Sequence, residues 1–245
     1  MARTAAALVI GNEILTGKVQ EANVAALAGM LFELGIALRK VVVCVDDEAT
    51  IADELRALRT AHDLVVTSGG VGPTHDDVTV PAVARAFGRP LGRDAGLEAR
   101  LRAHFADRTT PGHLRMAELP EGGELVDEGN LGWPVLRVEN VWVLPGVPAI
   151  FRKKLAAVRT RLAGDETAFV SRALYLVADE GEIAGLLERI ERAHPGVSVG
   201  SYPRFDGADH TVKVTFDGRD LARVRAALEA CREALPAATV VRVDP

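Results

Sequence analysis

Short apolar runs alternate with amphipathic stretches over the first 165 residues of the chain. Three of these runs predict strands, at Thr4–Ile10, Leu38–Val45 and Asp63–Ser68. The first is continuously apolar, which is typical of a strand buried on both faces of a sheet. Between the runs, apolar residues recur at helical spacing in two stretches, Asn23–Leu34 and the segment with Ile51, Leu55 and Leu58. This order predicts parallel strands joined by right-handed helical crossovers.

The pattern continues after a glycine-rich loop at 69–72. Thr79 is predicted to be the N-cap of a helix that ends at Phe87. The elements expected after it are a helix at Ala95–Phe105, strands at Glu124–Asp127, Val135–Val138 and Val141–Leu144, and a helix to about Leu162. Residues 1–164 are therefore predicted to form a three-layer α/β/α domain around a mostly parallel sheet.

The order of elements changes after Gly164-Asp165. Residues 165–245 are predicted to run strand, helix, strand, strand, helix, strand, over Phe169–Val177, Glu182–Ala193, Val197–Tyr202, Thr211–Phe216, Leu221–Leu235 and Thr239–Val243. This β-α-β-β-α-β order is that of a ferredoxin-like fold, so a small C-terminal α+β domain is expected.

Composition and charge exclude several classes of partner. The net charge of −5 and the pI of about 5.7 predict no general electrostatic binding to nucleic acid or to an anionic membrane. The apolar start of the chain is shorter than the core of a secretory signal, and no run is long enough to span a membrane. Cys44 and Cys231 lie too far apart in sequence to indicate a disulfide framework or a cysteine zinc site. A cytoplasmic location is expected.

The most informative segment is SGGVGPTHDDVT at 68–79. It follows a predicted buried strand at the carboxyl edge of the sheet, where open α/β folds bind their ligands. Gly69, Gly70 and Gly72 allow backbone N–H groups to approach an anion closely, and the next helix directs its N-terminus to the same space. The spacing matches neither a dinucleotide-binding fingerprint nor a Walker loop. A phosphate site is nevertheless favoured over a simple turn.

Two carboxylates, Asp76 and Asp77, follow the glycines. Beside a phosphate site they would repel the ligand unless a divalent cation lay between them, so they are candidate metal ligands and catalytic residues. The alternative is a tight turn in which Asp77 caps the next helix.

Further candidates lie on the same predicted edge. Glu13 follows the first strand and is a candidate acid, or a candidate hydrogen-bond acceptor for the edge of a base or pterin. The alternative is that this segment is only a turn that leads into a helix. Asp46 follows the second strand as a third carboxylate, with simple helix capping as the alternative. Gly146, in the PGVP segment at 145–148, would let backbone N–H groups face a phosphate.

Three motifs together carry a family resemblance: GNEIL at 11–15, GGVGPT at 69–74 followed by Asp76-Asp77, and LPGVP at 144–148. In this order they resemble the molybdopterin-binding (MoaB/Mog-like) domain family over residues 4–160. The similarity is strongest to the N-terminal part of competence/damage-inducible protein A and to the corresponding domain of FAD synthases. The residues after 165 resemble the small domain that follows in that branch.

The resemblance implies a ligand site, a metal and an assembly. Gly69, Gly70, Gly72 and Thr74 would hold phosphate. Asp76, Asp77 and Asp46 would hold a divalent metal (Mg²⁺, Mn²⁺ or Co²⁺), and Glu13, Asn23 and Gly146 would line the ligand cleft. Relatives adenylylate molybdopterin or cleave nucleotide pyrophosphates such as ADP-ribose or FAD, and they suggest a homo-oligomer.

The leading hypothesis is a metal-dependent nucleotide pyrophosphatase that acts on a small-molecule nucleotide or pterin phosphate. The alternatives are a molybdopterin adenylyltransferase-like role and a non-enzymatic pterin or nucleotide sensor. Adenylylating relatives carry GGTG and an Arg-Asp pair, whereas this chain has Val71 and His75 at these places. A second departure is Ala149-Ile150-Phe151, where competence proteins carry an acid and methionine after the PGVP segment. Residues 1–245 include no counterpart of the amidohydrolase or adenylyltransferase domains of longer relatives, so neither of those two activities is expected of these 245 residues.

Overall fold

The computed structural model describes residues 3–127, 132–164, 166–205 and 209–244. The chain divides into two compact units, Met1–Glu166 and Thr167–Pro245, a division two residues beyond the predicted boundary. Among the described residues, no helix combines the length and the apolar composition needed to cross a bilayer.

A six-stranded sheet forms the middle of the first unit. The strands of this unit are β1 (Thr4–Ile10), β2 (Ala37–Cys44), β3 (Leu64–Ser68), β4 (Leu91–Arg93), β5 (Glu118–Pro120), β6 (Glu124–Val126), β7 (Val135–Val138) and β8 (Val141–Leu144). The order in the sheet is β2-β1-β3-β8-β7-β6, and β4 pairs with β5 separately. The first four strands in this order are parallel, whereas β7 and β6 are antiparallel to their neighbours. The predicted mostly parallel sheet is confirmed.

Helices cover both faces of this sheet. They are α1 (Asn12–Leu15), α2 (Asn23–Glu33), α3 (Glu48–Ala61), α4 (Thr79–Phe87), α5 (Ala95–Phe105), α6 (Pro111–Arg115) and α7 (Pro148–Leu162). Alternate residues of β1 enter two different cores: Ala5 and Ala7 pack with α2 and α7, while Ala6 and Leu8 pack with α3 and α4. Because both faces of β1 are buried, its sequence is apolar at every position from Ala5 on. The three-layer prediction is confirmed.

The predicted N-cap of α4 is wrong. Val78 occupies the N-cap position without a side-chain cap, and Thr79 is the first helical residue. The Thr79 hydroxyl is buried and donates to the carbonyl of Gly69 at 2.8 Å, so it holds the glycine-rich loop instead of the helix end. Short elements that the pattern did not reveal include α1, α6 and the β4–β5 pair.

The second unit has the predicted ferredoxin-like arrangement. Its elements are β9 (Val170–Leu176), α8 (Glu180–Ala193), β10 (Val197–Pro203), β11 (Val212–Gly218), α9 (Leu221–Glu233) and β12 (Val240–Asp244). The sheet is antiparallel in the order β10-β11-β9-β12. One core joins the sheet to both helices through buried residues such as Leu174, Phe216 and Leu228.

Candidate ligand site at the carboxyl ends of the strands

A cavity of about 750 Å³ lies at the carboxyl ends of β1, β3 and β8. This volume is in the range of sites that bind cofactors and nucleotides. Its wall contains every predicted site residue except Thr74 and Asn23, namely Glu13, Asp46, Gly69, Gly70, Gly72, Asp76, Asp77 and Gly146. The parallel strands end at the same edge of the sheet, which brings loops distant in sequence to one cavity.

The other part of the wall is apolar. It is formed by side chains from α5 and from the segments around β5, β6 and β7: Leu97, Leu101, Met116, Leu119, Leu125, Trp133 and Leu136. The sequence pattern assigned Leu97 and Leu101 to core packing, and both are buried, but they also border this cavity. The cavity therefore has a polar part at the glycine-rich loop and an apolar part suited to a flat ring.

The glycine-rich loop depends on close backbone packing. Gly69 has φ +112°, and a β-carbon on it would lie 2.1 Å from the carbonyl oxygen of Ile10. A β-carbon on Gly146 would lie 3.3 Å from the α-carbon of Gly69, so the loops after β3 and β8 touch through two glycines. Side chains at these positions would separate the strand ends that shape the cavity.

Backbone N–H groups in the cavity wall are available for a ligand. Within the described parts of the chain, the N–H groups of Gly70, Val71 and Gly72 donate to no acceptor, nor do those of Gly146 and Val147. The helices that follow these two loops, α4 and α7, both begin without a side-chain cap. Free N–H groups and two helix N-termini favour an anion in this part of the cavity.

Asp76 and Asp77 meet at one hydroxyl group. The Oγ1 atom of Thr74 lies 2.5 Å from Asp76 Oδ1 and 2.5 Å from Asp77 Oδ2. Asp77 also accepts the Thr74 backbone N–H at 2.8 Å. The Thr74 hydroxyl, as a hydrogen-bond donor, holds the pKa of Asp76 below its usual value. The alternative in which Asp77 caps α4 is not what the structure shows, because that helix has no side-chain cap.

Thr74 has a different place from the one predicted. It is exposed and lies outside the cavity wall, and its hydroxyl is occupied by the two aspartates. The carbonyl of Pro73, next to it, accepts from Arg115 at 3.0 Å, which attaches the loop to α6. The Thr74 hydroxyl therefore contacts Asp76 and Asp77 and does not line the cavity.

Asp46 and Glu13 border the cavity from the loops after β2 and β1. Asp46 Oδ2 accepts the backbone N–H of Asn12 at 2.7 Å and so ties the two loops together at the start of α1. The next residue, Asp47, caps α3 by accepting the N–H of Thr50 at 2.8 Å. Asp46 thus has a structural partner in addition to its place in the wall.

Asn23 lies beneath the loops. It is 4% exposed, and its Nδ2 donates to Ser68 Oγ at 2.9 Å and to the carbonyl of Gly146 at 2.7 Å. The expectation that Asn23 lines the cleft is therefore corrected. Buried amides are generally hydrogen-bonded, and here the amide joins the loops after β3 and β8 from below.

The carboxylates suit a metal shared with a ligand. No group of three or more His, Cys, Asp and Glu side chains in the described part of the chain is placed to hold a metal ion, so Asp46 does not complete a set with Asp76 and Asp77. Magnesium is commonly held by one or two carboxylates together with substrate phosphates and water. Asp76 and Asp77 lie beside free N–H groups that suit a phosphate, so they fit a metal held jointly by two carboxylates and a phosphorylated ligand.

The sequence analysis missed Lys154. It lies on α7, is 6% exposed and borders the cavity, and its Nζ donates to the carbonyls of Trp133 (2.5 Å) and Pro134 (3.1 Å). The sequence contained a signal, because position 154 falls on the same helical stripe as the core residues Phe151 and Val158. Because lysine is rarely buried without a polar partner, a lysine in an apolar helical stripe indicates a buried polar contact at that position.

Burial of Lys154 predicts an unusual dependence of stability on pH. Burial lowers the pKa of Lys154 from 10.5 to about 8. Between these values the unfolded chain binds more protons at this site than the folded chain, so stability should rise with pH. Relative to Lys154→Met, the wild type should gain roughly 3 kcal/mol of unfolding free energy from pH 8 to 10.5.

The measurement is urea unfolding followed by tryptophan fluorescence, since both tryptophans lie in the first unit. The control is Thr160→Val, an exposed position on the same helix without a titratable side chain, for which the difference from wild type should stay constant with pH. Burial raises the thiol pKa of Cys44 and of Cys231 to about 11, but both thiols are present in every variant and their effect cancels. A wild-type minus Lys154→Met difference that did not change with pH would contradict the prediction.

Comparisons with known proteins agree with this architecture. Residues 6–163 match the family described as "probable molybdopterin binding domain", and residues 168–244 match the middle domain of FAD synthase. A protein of Archaeoglobus fulgidus is 33% identical over 226 residues, covering 92% of this chain and 95% of its own length. A probable FAD synthase of Caenorhabditis elegans is 30% identical over 261 residues, and this chain spans about half of it: 95% of this chain and 50% of that protein are covered.

A solved structure shows the same fold in the first unit. The crystal structure of the protein CinA from Thermoplasma acidophilum superposes with a TM-score of 0.61 at 34% sequence identity, covering 66% of this chain and 98% of that one. The match of residues 6–163 takes in all the loops that border the cavity. The chain therefore belongs to the molybdopterin-binding domain family.

Proposed function

We propose that this protein is a divalent-metal-dependent pyrophosphatase that cleaves the phosphoanhydride bond of a nucleotide conjugate of the ADP-ribose or FAD type. The observation that carries the proposal is the polar wall of the cavity. There, three consecutive free N–H groups, of Gly70, Val71 and Gly72, lie in the same loop as two carboxylates that meet at Thr74. Donors for phosphate oxygens next to carboxylates suited to a cation form the combination that hydrolysis of a diphosphate requires.

The volume and polarity of the cavity support a nucleotide conjugate over inorganic pyrophosphate. The polar wall accounts for only part of the 750 Å³, and the remainder is bordered by leucines and Trp133. A ligand that carried phosphates alone would leave that apolar part filled with water. A ligand with a flat ring would cover the apolar part of the cavity and remove that surface from water, which favours binding.

The reaction consumes one water. The water oxygen forms a bond to one phosphorus and the bridging P–O bond breaks. Each of the two monophosphates formed takes one hydrogen of the water and releases it to solvent above its second pKa of about 6. The N–H groups of the glycine-rich loop stabilise the charge that accumulates on the phosphoryl oxygens. A divalent cation held by Asp76 and Asp77 would supply polarisation of a phosphoryl oxygen and activation of water. Thr74 keeps both carboxylates in one orientation, which reduces the reorganisation needed when substrate binds.

A second candidate is pterin binding, with or without adenylylation. The description of the matched family favours it, because that description names molybdopterin. The same cavity offers a phosphate site and an apolar part for a pterin ring. Non-enzymatic sensing differs from both enzymatic candidates in one respect, which is tight binding with no turnover.

The test is product analysis with the purified chain. We expect release of AMP from ADP-ribose or FAD in the presence of Mg²⁺, Mn²⁺ or Co²⁺, and none after chelation with EDTA. NAD and diadenosine polyphosphates complete the panel and define the leaving group. If no substrate is cleaved with any metal by folded protein, the pyrophosphatase proposal fails. Binding and adenylylation of a pterin monophosphate would then support the second candidate.

A further inference from the structure

Lys154 is a buried cation that forms no salt bridge with any residue that the structure describes, although the charge of Asp127 acts on it. None of the ion pairs formed among the described residues includes it, although Arg100 pairs with the neighbouring acid, Asp127, at 2.5 Å. The ammonium group of a lysine has three N–H donors, of which two are accepted here by the carbonyls of Trp133 and Pro134. The third finds no acceptor in the part of the chain that the structure describes. An unsatisfied buried donor is costly, which makes an acceptor on a ligand favourable.

The surroundings of Lys154 indicate what such an acceptor belongs to. Many of the side chains that border the cavity together with Lys154 are apolar, among them Leu125, Leu136 and Ile150, whereas the carboxylates in the wall belong to the loops after β1, β2 and β3. Trp133, whose carbonyl Lys154 contacts, is half-buried, and it packs with Leu97 and Leu101 in the apolar cluster beside α5. A second phosphate in this part of the cavity would be desolvated by hydrocarbon on most sides. A flat heteroaromatic ring would instead bury its faces on these groups and keep a polar edge for one donor.

We propose that Lys154 and Trp133 form a ring-recognition subsite, in which the indole packs on the heteroaromatic ring of the ligand and the free N–H of Lys154 donates to an acceptor on its edge. The inference rests on the proposed function only in placing a nucleotide or pterin in the cavity. It adds a source of specificity. The subsite would favour ligands whose ring carries a nitrogen or carbonyl that accepts a hydrogen bond over ligands that consist of sugar or phosphate alone. Lys154 is thus a binding residue, separate from Asp76 and Asp77.

The experiment measures binding by calorimetry in the presence of Mg²⁺, with ADP, FAD and inorganic pyrophosphate as probes. Lys154→Met should weaken the binding of ADP and FAD by about 10- to 100-fold, as expected for one hydrogen bond from a charged donor, and that of pyrophosphate by less than about twofold. Trp133→Phe, which preserves the backbone carbonyl that Lys154 contacts, should also weaken only the ring-bearing probes. Lys153→Met on the same helix should leave all three affinities unchanged.

The outcomes separate this inference from the proposed function. Equal loss for pyrophosphate and ADP in Lys154→Met would show that the lysine binds phosphate, and it would overturn the subsite. Unchanged binding of ADP and FAD in both Lys154→Met and Trp133→Phe would leave only a structural role for Lys154, as would failure of the wild type to bind either ring-bearing probe. Selective loss in a protein that hydrolyses no substrate would support the subsite while the pyrophosphatase proposal fails. If Lys154→Met does not fold, Trp133→Phe still compares the ring-bearing probes with pyrophosphate, and equal affinities of wild type and Trp133→Phe for ADP and FAD would overturn the subsite.

Discussion

Replacing Asp77 with asparagine is expected to lower kcat/KM for metal-dependent hydrolysis of the best substrate by about 100- to 1,000-fold. The substitution keeps the shape of the side chain and an oxygen that can accept from Thr74, but it removes the charge that would hold a cation. A loss of this size corresponds to roughly 3–4 kcal/mol of transition-state stabilisation. The measurement is AMP release under subsaturating substrate at several metal concentrations.

The metal dependence distinguishes this role from simple loop damage. If Asp77 holds the cation, Asp77→Asn should require a higher metal concentration for half-maximal activity, and excess metal should restore part of the rate. Asp47→Asn is the matched control, because Asp47 caps α3 outside the cavity wall and asparagine is an equally good N-cap. That control should retain activity within about twofold. An Asp77→Asn variant with wild-type activity would remove Asp77 from the proposed mechanism.

Replacing Gly69 with alanine is expected to lower the free energy of unfolding of the first unit by roughly 3–5 kcal/mol. Two costs combine at this position. The backbone has φ +112°, a conformation that residues with a β-carbon rarely adopt, and the new methyl group would lie 2.1 Å from the carbonyl oxygen of Ile10. Since the contact is with backbone, relief requires the strand ends of β1 and β3 to separate. Urea unfolding followed by tryptophan fluorescence measures the change.

Gly17 provides the matched control for this prediction. It also has a positive φ, +71°, but a β-carbon there would meet no atom within 4 Å. Gly17→Ala should therefore cost only the backbone strain, about 1 kcal/mol. A Gly69→Ala variant no less stable than Gly17→Ala would mean that the loop rearranges at little cost. Such a loop would not be the rigid site proposed above.

Much of the architecture was predictable because local pattern and tertiary structure agree. The run Thr4–Ile10 predicted a central strand with its bounds, since a strand with helices on both faces needs apolar residues at successive positions. The β-α-β-β-α-β order after residue 165 predicted the antiparallel sheet of the second unit in the same way. Boundaries differed by a few residues, as for α2, which ends at Glu33 and not at Leu34.

The site was predictable to the extent that it depends on strand ends. Parallel strands place their carboxyl ends at one edge, so Glu13, Asp46 and Gly146 were expected near the glycine-rich loop, and all three border the cavity. The assignment of Asp76 and Asp77 to a metal and to catalysis remains a prediction, which the Asp77→Asn experiment addresses.

Hydrophobic periodicity and the positions of the glycines are local features, and they were enough to predict the order of the elements, the two units and the edge of the sheet where the loops of the site meet. The polar groups that face the cavity could be identified only in the folded chain. Thr79 and Asn23 have their hydrogen-bonding groups under the loops, while Lys154 reaches the cavity from a helix stripe that otherwise packs in the core. A hydrogen bond depends on partners that the fold brings together, and the partners of Asn23, for example, lie 45 and 123 residues away along the chain.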